Sequence, residues 1–449
     1  MAAAASRSAA HRHQAAAAQA MANLTLADEY ADILASEVTV DVPRLRELAR
    51  RYGVPHAYRG DVWRFLLGVV PADRSHELST ARARQAAYDA LASAAAMSPL
   101  ALDVAKRVRG DVSRYLRRAA PRLAVLQAAL DSDAVAAATA AAAASAAAVT
   151  LTSPISPPAN QSSSSPGSQT PSSNGGSGGG GMMAAAPGPT PAAAADAVRG
   201  VMERVLLTYA AAHAVHGAEY APTWAAVVAP FAAAMHTERD AYFAFEAWMA
   251  RLDDQFALRP LQYVTSDLMV RVRSVAPDVY NFLDEEEVDA RDWLPAWLAS
   301  ALASAWPLDA VLRLWDVYIA GGVPQQQSGG STSPTDSSPA ANNEAAGGGL
   351  ELHPWVCLAA LLQLKEQMED LEASEIVALL RRVPVQASDV DNLVNVANNL
   401  WLEQSHQARE SAEYSNGNGN GGGNGSGAAY SEYGEQRRTP RTPRKVTAR

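Results

Sequence analysis

The chain has one cysteine, Cys357, in 449 residues. An intrachain disulfide is therefore impossible, and a reducing compartment is the natural setting. Cys357 sits among apolar residues in "WVCLAALLQL", the setting of a small buried side chain. Basic residues are also in short supply: the net charge is −10. Phosphate binding needs a concentrated basic face, so nucleic acid is excluded as the general partner. The amino terminus has no leucine-rich apolar core and reads as no secretory signal. Its segment "MAAAASRSAAHRHQAAAAQAM" has no acidic residue, the composition of an organelle transit peptide and, more simply, of a disordered tail. The charge-free run from Ala134 is nearly all alanine, which contributes too little transfer energy for a transmembrane helix.

What is present is enough apolar sequence, 48% of residues, for one large core or two ordinary ones. Two stretches cannot contribute to it. Residues 131–197 and 321–349 are Ala/Ser/Gly/Pro low complexity and read as insertions into loops, because the helical patterns flanking each look incomplete alone. Residues 1–41 read as a disordered or weakly helical segment, 42–400 as one helical domain, and 401–449 as a disordered Gly/Asn-rich tail with a basic end. "PLDAVLRLWDVYIAGG" places Leu308, Val311, Leu312, Trp315 and Ile319 on one helical stripe, with Gly321 and Gly322 as a stop. "ASEIVALLRRVP" repeats the pattern and ends before Pro384. Alternation of comparable length is missing, and so is a repeat of fixed period. The fold class expected is all-α.

Three stretches can carry chemistry. In "RYGVPHAYRGDVWRFLLGVVP", Arg59 and Trp63 are one turn apart, where a guanidinium can lie against an indole. In "KRVRGDVSRYLRRAAPR", seven basic residues face one acid, Asp111. Val104, Val108, Val112 and Tyr115 can anchor this stretch as a helix, leaving Arg107, Arg114 and Arg118 on another face. By spacing alone it is either a solvated basic face or a site for an anionic ligand or an acidic protein surface. Asp111 and Arg114, three apart, can pair, so that the carboxylate aims the arginine. In "VLLTYAAAHAVHGAEYAPTWAAVVAPF" a buried helix should stop near Gly217 and restart at Pro222, with Tyr220 just ahead. His213 and His216 are three apart but no third ligand joins them, so no metal site is expected.

Together these stretches resemble the TBC domain, the all-helical GTPase-activating module that acts on Rab GTPases. Arg59-Gly-Asp-Val-Trp63 matches the family's Arg-x-x-x-Trp motif, and Val108-Arg-Gly-Asp111-Val-Ser-Arg114 matches Ile-x-x-Asp-x-x-Arg with Val for Ile. "WLASALASAWPLDAVLRLWDVYIAGG" is similar to the family's later Trp-Asp segment, and the sequence from His353 to Pro384 resembles the helices that follow it. The resemblance covers roughly Val42 to Leu400.

It implies a single multi-helix domain that binds a Rab-type GTPase and inserts Arg114 as an arginine finger, with Asp111 holding it and Arg59 and Trp63 bracing the supporting helix. Tyr220, Pro222, Arg117 and Arg118 would face the GTPase. The domain would need no cofactor of its own, because GTP and Mg²⁺ are carried by the partner. It would be cytoplasmic, with peripheral endomembrane association, a GTPase activator acting in trans rather than an enzyme. One departure stands out. The family's Tyr-x-Gln supplies a glutamine that orients the attacking water, and here Tyr220-Ala-Pro222 puts proline in its place. No glutamine lies between Gly200 and Asp254, and proline has neither a side-chain donor nor a backbone N–H. The alternative implied is a binding or scaffold protein of membrane trafficking with impaired catalysis. In the tail, Thr439 and Thr442 precede prolines among arginines, a setting for proline-directed phosphorylation that would cut local positive charge.

Overall fold

The computed structural model describes residues 25–98, 103–119, 191–214, 219–257, 259–321 and 349–417. Among the described residues no strand forms, and a lone antiparallel bridge joins Thr39 to Asp73. The helices are, in order, α1 (25–34), α2 (Val42–Tyr52), α3 (His56–Leu66), α4 (Glu77–Met97), α5 (103–119), α6 (Pro191–His213), α7 (Trp224–Ala234), α8 (Glu238–Ala257), α9 (Leu261–Val275), α10 (Pro277–Glu285), α11 (Leu294–Ala299), α12 (Leu308–Ala320), α13 (His353–Gln363), α14 (Lys365–Met368), α15 (Ala373–Leu380) and α16 (Val390–Gly417). The all-α expectation holds. The chain divides into a unit Met1–Trp401 and a unit Leu402–Arg449. In the second, the helix continues to Gly417.

Local sequence sets the boundaries. Asp41 caps α2 by accepting from the Arg44 N–H at 3.0 Å, a contribution of about 1 kcal/mol. Gly53 then takes a positive φ of 77°, a conformation that costs glycine little. Pro55 opens α3. Gly60, inside α3, is required for a different reason: a Cβ there would lie 2.3 Å from the Ala234 carbonyl oxygen. The missing side chain lets α3 approach the end of α7 closely.

The apolar stripe of α12 faces inward on every side. Its Trp315 meets Trp63 at 6.3 Å, Trp248 at 4.6 Å and Phe231 at 5.3 Å between ring centroids. Burying each such ring stabilises the fold by about 1.5–3 kcal/mol, so this cluster is the centre of the core. Beside it Arg251 donates to the carbonyls of Leu66, at 2.8 Å, and Ile319, at 3.4 Å. It thereby satisfies the ends of α3 and α12, where orphan carbonyls carry partial negative charge. Burial pushes its guanidinium down to about 10.

Two expectations shift. The segment before Val42 contributes to the packed unit: α1 carries Tyr30, which is fully buried and donates to the Gly53 carbonyl at 3.0 Å. Leu26, Ile33 and Leu34 pack beside it, a stripe at helical spacing in a segment too short for its packing to be read from the pattern. Helix α6 begins at Pro191, six residues inside the stretch read as an insertion up to 197, because its first turns are alanines whose composition matches low complexity. Cys357 is buried, as read, and burial pushes its thiol well above the ordinary range. Residues 120–190 and 322–348, which hold most of the two low-complexity stretches and the alanine run from Ala134, together with His216, Gly217 and the tail with Thr439 and Thr442, lie outside the described residues. The described ends of the second stretch meet: a Cβ on Gly349 would stand 3.7 Å from the backbone of Gly321. Among the described residues no helix is long and apolar enough to cross a membrane.

Candidate functional site

Helix α5 buries Val108, Val112, Tyr115 and Leu116, with Val104 partly covered. The remaining faces carry charge. Asp111 is turned toward the protein and only 8% exposed at its side chain, while the Arg114 guanidinium that donates to it is 66% exposed. The carboxylate has a second donor, the hydroxyl of Tyr220 at 3.1 Å. Burial and the neighbouring carboxylate push the Tyr220 phenol above its usual range, which keeps it a proton donor. Arg107, one turn before Asp111, donates to the Tyr220 carbonyl at 3.1 Å and lies over its ring at 5.5 Å. Trp224 packs edge-on against the other side of that ring. Tyr220 is thus fixed by a cation, an indole and a carboxylate.

Pro222 follows two residues later and is exposed. It lies in a turn, closed by the Trp224 N–H donating to the Ala221 carbonyl at 3.0 Å, and α7 starts at Trp224. The helix restart therefore falls two residues beyond the expected position, since the turn is completed before the first helical residue. Arg117 and Arg118 are exposed on α5. Burial, and then the positive charge of Arg382, hold the Arg118 pKa below the ordinary arginine value. His213 stacks on Tyr209 and approaches Glu246 at 3.8 Å.

Arg59 and Trp63 belong to another constellation. Both converge on Asp316, in the middle of α12. Arg59 donates to its carboxylate through Nε at 3.1 Å and Nη2 at 3.0 Å, and Trp63 through Nε1 at 2.8 Å. The Val54 N–H adds a fourth donor at 3.0 Å. The expected stacking of Arg59 on Trp63 gives way to this shared acceptor. A buried carboxylate must be paired, and the two side chains one turn apart on α3 supply what it needs. Among the described residues neither hydrogen-bonds to α5, so their bracing is of α12 against α3 rather than of the helix carrying Arg114. The signal for this was present in the sequence: Asp316 is a lone charge inside the otherwise uncharged "LWDVYIA".

Residues 190–326 match the Rab-GTPase-TBC domain family. That stretch contains Tyr220, Pro222 and Asp316. No curated protein matches the chain. Among solved structures, the Ypt/Rab-GAP domain of Gyp1p is 13% identical, with 86% of this chain and 99% of that one covered and a TM-score of 0.54. The Chlamydomonas flagellar RabGAP TBC domain is 14% identical, with 86% and 93% covered and a TM-score of 0.49. The match places residues 190–326 in the Rab-GTPase-TBC domain family, and the likeness to the Gyp1p domain gives the chain a TBC fold. Asp111 and Arg114 lie outside the matched stretch. They are joined to it physically, by the hydrogen bond from Tyr220 to Asp111.

Proposed function

We propose that the chain is a GTPase-activating protein for a Rab-type small GTPase, inserting Arg114 in trans toward the GTP and Mg²⁺ that the partner carries. The observation behind this reading is the construction around Arg114. Its guanidinium is presented to solvent while its carboxylate partner is buried and held by a second donor. An arginine aimed in advance loses little freedom on docking, and a positive charge placed where phosphate charge develops is the main lever on GTP hydrolysis. Arg117 and Arg118 extend the positive surface along α5, and Tyr220 sets the edge on which Pro222 stands. Because proline cannot orient water, the partner's own switch glutamine does so, and acceleration is weaker than an arginine and a glutamine together would give. The protein acts in the cytoplasm, with endomembrane contact made through its partner.

Pro222 favours a second reading, a TBC-fold binding or scaffold protein that engages a GTPase without activating it. GTP hydrolysis by a panel of Rab GTPases separates the two. Wild type should accelerate one or more of them, Arg114→Ala should remove about 10³- to 10⁵-fold at most, and Pro222→Gln should raise the rate. Acceleration that survives Arg114→Ala overturns the first reading. Acceleration seen only with Pro222→Gln establishes the second.

A further inference from the structure

Beside the Arg114 surface lies a groove of about 320 Å³ that the proposed mechanism does not use. Arg118 of α5 forms one wall, the turn around Trp306 the floor, and Arg382, just after α15, the other wall. Hydrogen-bond donors around it outnumber acceptors. Among the described residues, the side chains of Arg118 and Arg382 have neither a hydrogen bond nor an ion pair. They are close enough for the charge of one to disfavour the charge of the other. The third donor is the Trp306 indole: the residue is 4% exposed and its Nε1–H has no acceptor. That N–H is enclosed as well as unpaired, so the two exposed guanidinium groups are the donors open to an occupant. The Ser304 hydroxyl is already engaged with Ser300 at 2.9 Å and the Ala296 carbonyl at 3.2 Å.

Two cations lining one groove call for an anion with several lone pairs, which a carboxylate supplies. The rest of the lining is the ring of Tyr115 and the apolar Pro307, Leu308, Val383 and Pro384. A free phosphate would leave that floor uncovered, and a bilayer presents its charges on a plane that cannot enter a recess. A polypeptide with an acidic side chain next to an apolar one satisfies both. Arg118 is one helical turn along α5 from Arg114, so a protein covering Arg114 reaches the groove.

We propose that the groove between Arg118 and Arg382 receives an acidic segment of the same GTPase that Arg114 enters, its carboxylate held between the two guanidinium groups and a neighbouring apolar side chain seated on Trp306. This rests on the activator reading above and assigns Arg382, distant in sequence from the other site residues, a part in choosing the partner. The wild type, Arg382→Glu, Arg382→Lys and Arg114→Ala chains are compared for Kd toward the best-binding member of a Rab panel, loaded with GDP and aluminium fluoride, and for KM and kcat of GTP hydrolysis. Arg382→Glu should raise Kd and KM about tenfold or more while kcat at saturation stays within about twofold. Arg382→Lys should keep most of the affinity, and Arg114→Ala should show the opposite split. Arg382 is exposed, so thermal melting of its variants should follow wild type. If Arg114→Ala lowers kcat as expected but Rab binding ignores Arg382→Glu, the groove assignment alone is overturned. If Arg382→Glu instead abolishes co-sedimentation with phosphatidylserine vesicles and leaves Rab affinity intact, the groove is a membrane contact and the proposal fails. If no Rab binds wild type, both readings fall.

Discussion

Asp316 and Asp111 each hold an arginine, and the two pairs differ in everything but their chemistry. At Asp316 the carboxylate is fully buried and the Arg59 side chain is 10% exposed; at Asp111 the carboxylate is covered while the Arg114 guanidinium stands two-thirds in solvent. The first arginine has used its donors inside the protein, on Asp316 and the Val54 carbonyl. It can do nothing but hold helices together. The second has been aimed and left with donors to offer. Both motifs look alike on paper, an arginine with an aromatic or acidic residue a turn away. Burial, rather than residue type, separates the two.

Substitutions can break that contrast. Asp316→Ala leaves Arg59, Trp63 and the Val54 N–H without their acceptor, and losing one partner of a buried pair costs about 3–5 kcal/mol. Urea denaturation should show that loss, and in the same experiment Arg114→Ala should change stability by less than about 1 kcal/mol, as for an exposed pair. Equal losses would erase the distinction. A smaller effect is expected at Gly60, between the two side chains that grip Asp316. Gly60→Ala puts a Cβ against the Ala234 carbonyl and should cost about 1–3 kcal/mol of overpacking, lowering the thermal midpoint while leaving the Arg114-dependent rate per folded molecule unchanged. The smallest is Tyr220→Phe. It removes the second donor to Asp111 at a cost of about 1 kcal/mol in stability. Because it loosens the carboxylate that aims Arg114, it should lower kcat for the stimulated GTPase more than it raises KM, which a mere packing defect would not do.

The sequence made the helices around the core legible because their apolar stripes repeat at helical spacing. Helix α12, for example, ends at Ala320 with Gly321 beyond it, where the pattern stops. It also showed that Asp111 and Arg114 could pair, since three residues is one turn of the helix. What it hid were contacts between distant segments. Tyr220 meets Asp111 across 109 residues and Trp63 meets Asp316 across 253, and no local periodicity encodes such partners. Arg382 was invisible for the same reason: within "ALLRRVP" it reads as an ordinary charge after a helix, and its meaning comes only from facing Arg118. Helix α1, in a segment read as disordered or weakly helical, carries a stripe of Leu26, Tyr30, Ile33 and Leu34, but a stripe that short does not show that the segment packs onto the domain.

The touching backbones of Gly321 and Gly349 have a consequence for how such a chain can change. With the exit and the re-entry of the polypeptide side by side, the domain registers only that the two points are joined, and each doubling of the joining segment costs only about 0.6 kcal/mol in closure entropy. Selection on folding is then almost blind to what lies between residues 321 and 349, so length and composition there can drift, or be replaced by a grafted sequence, without disturbing the helices on either side.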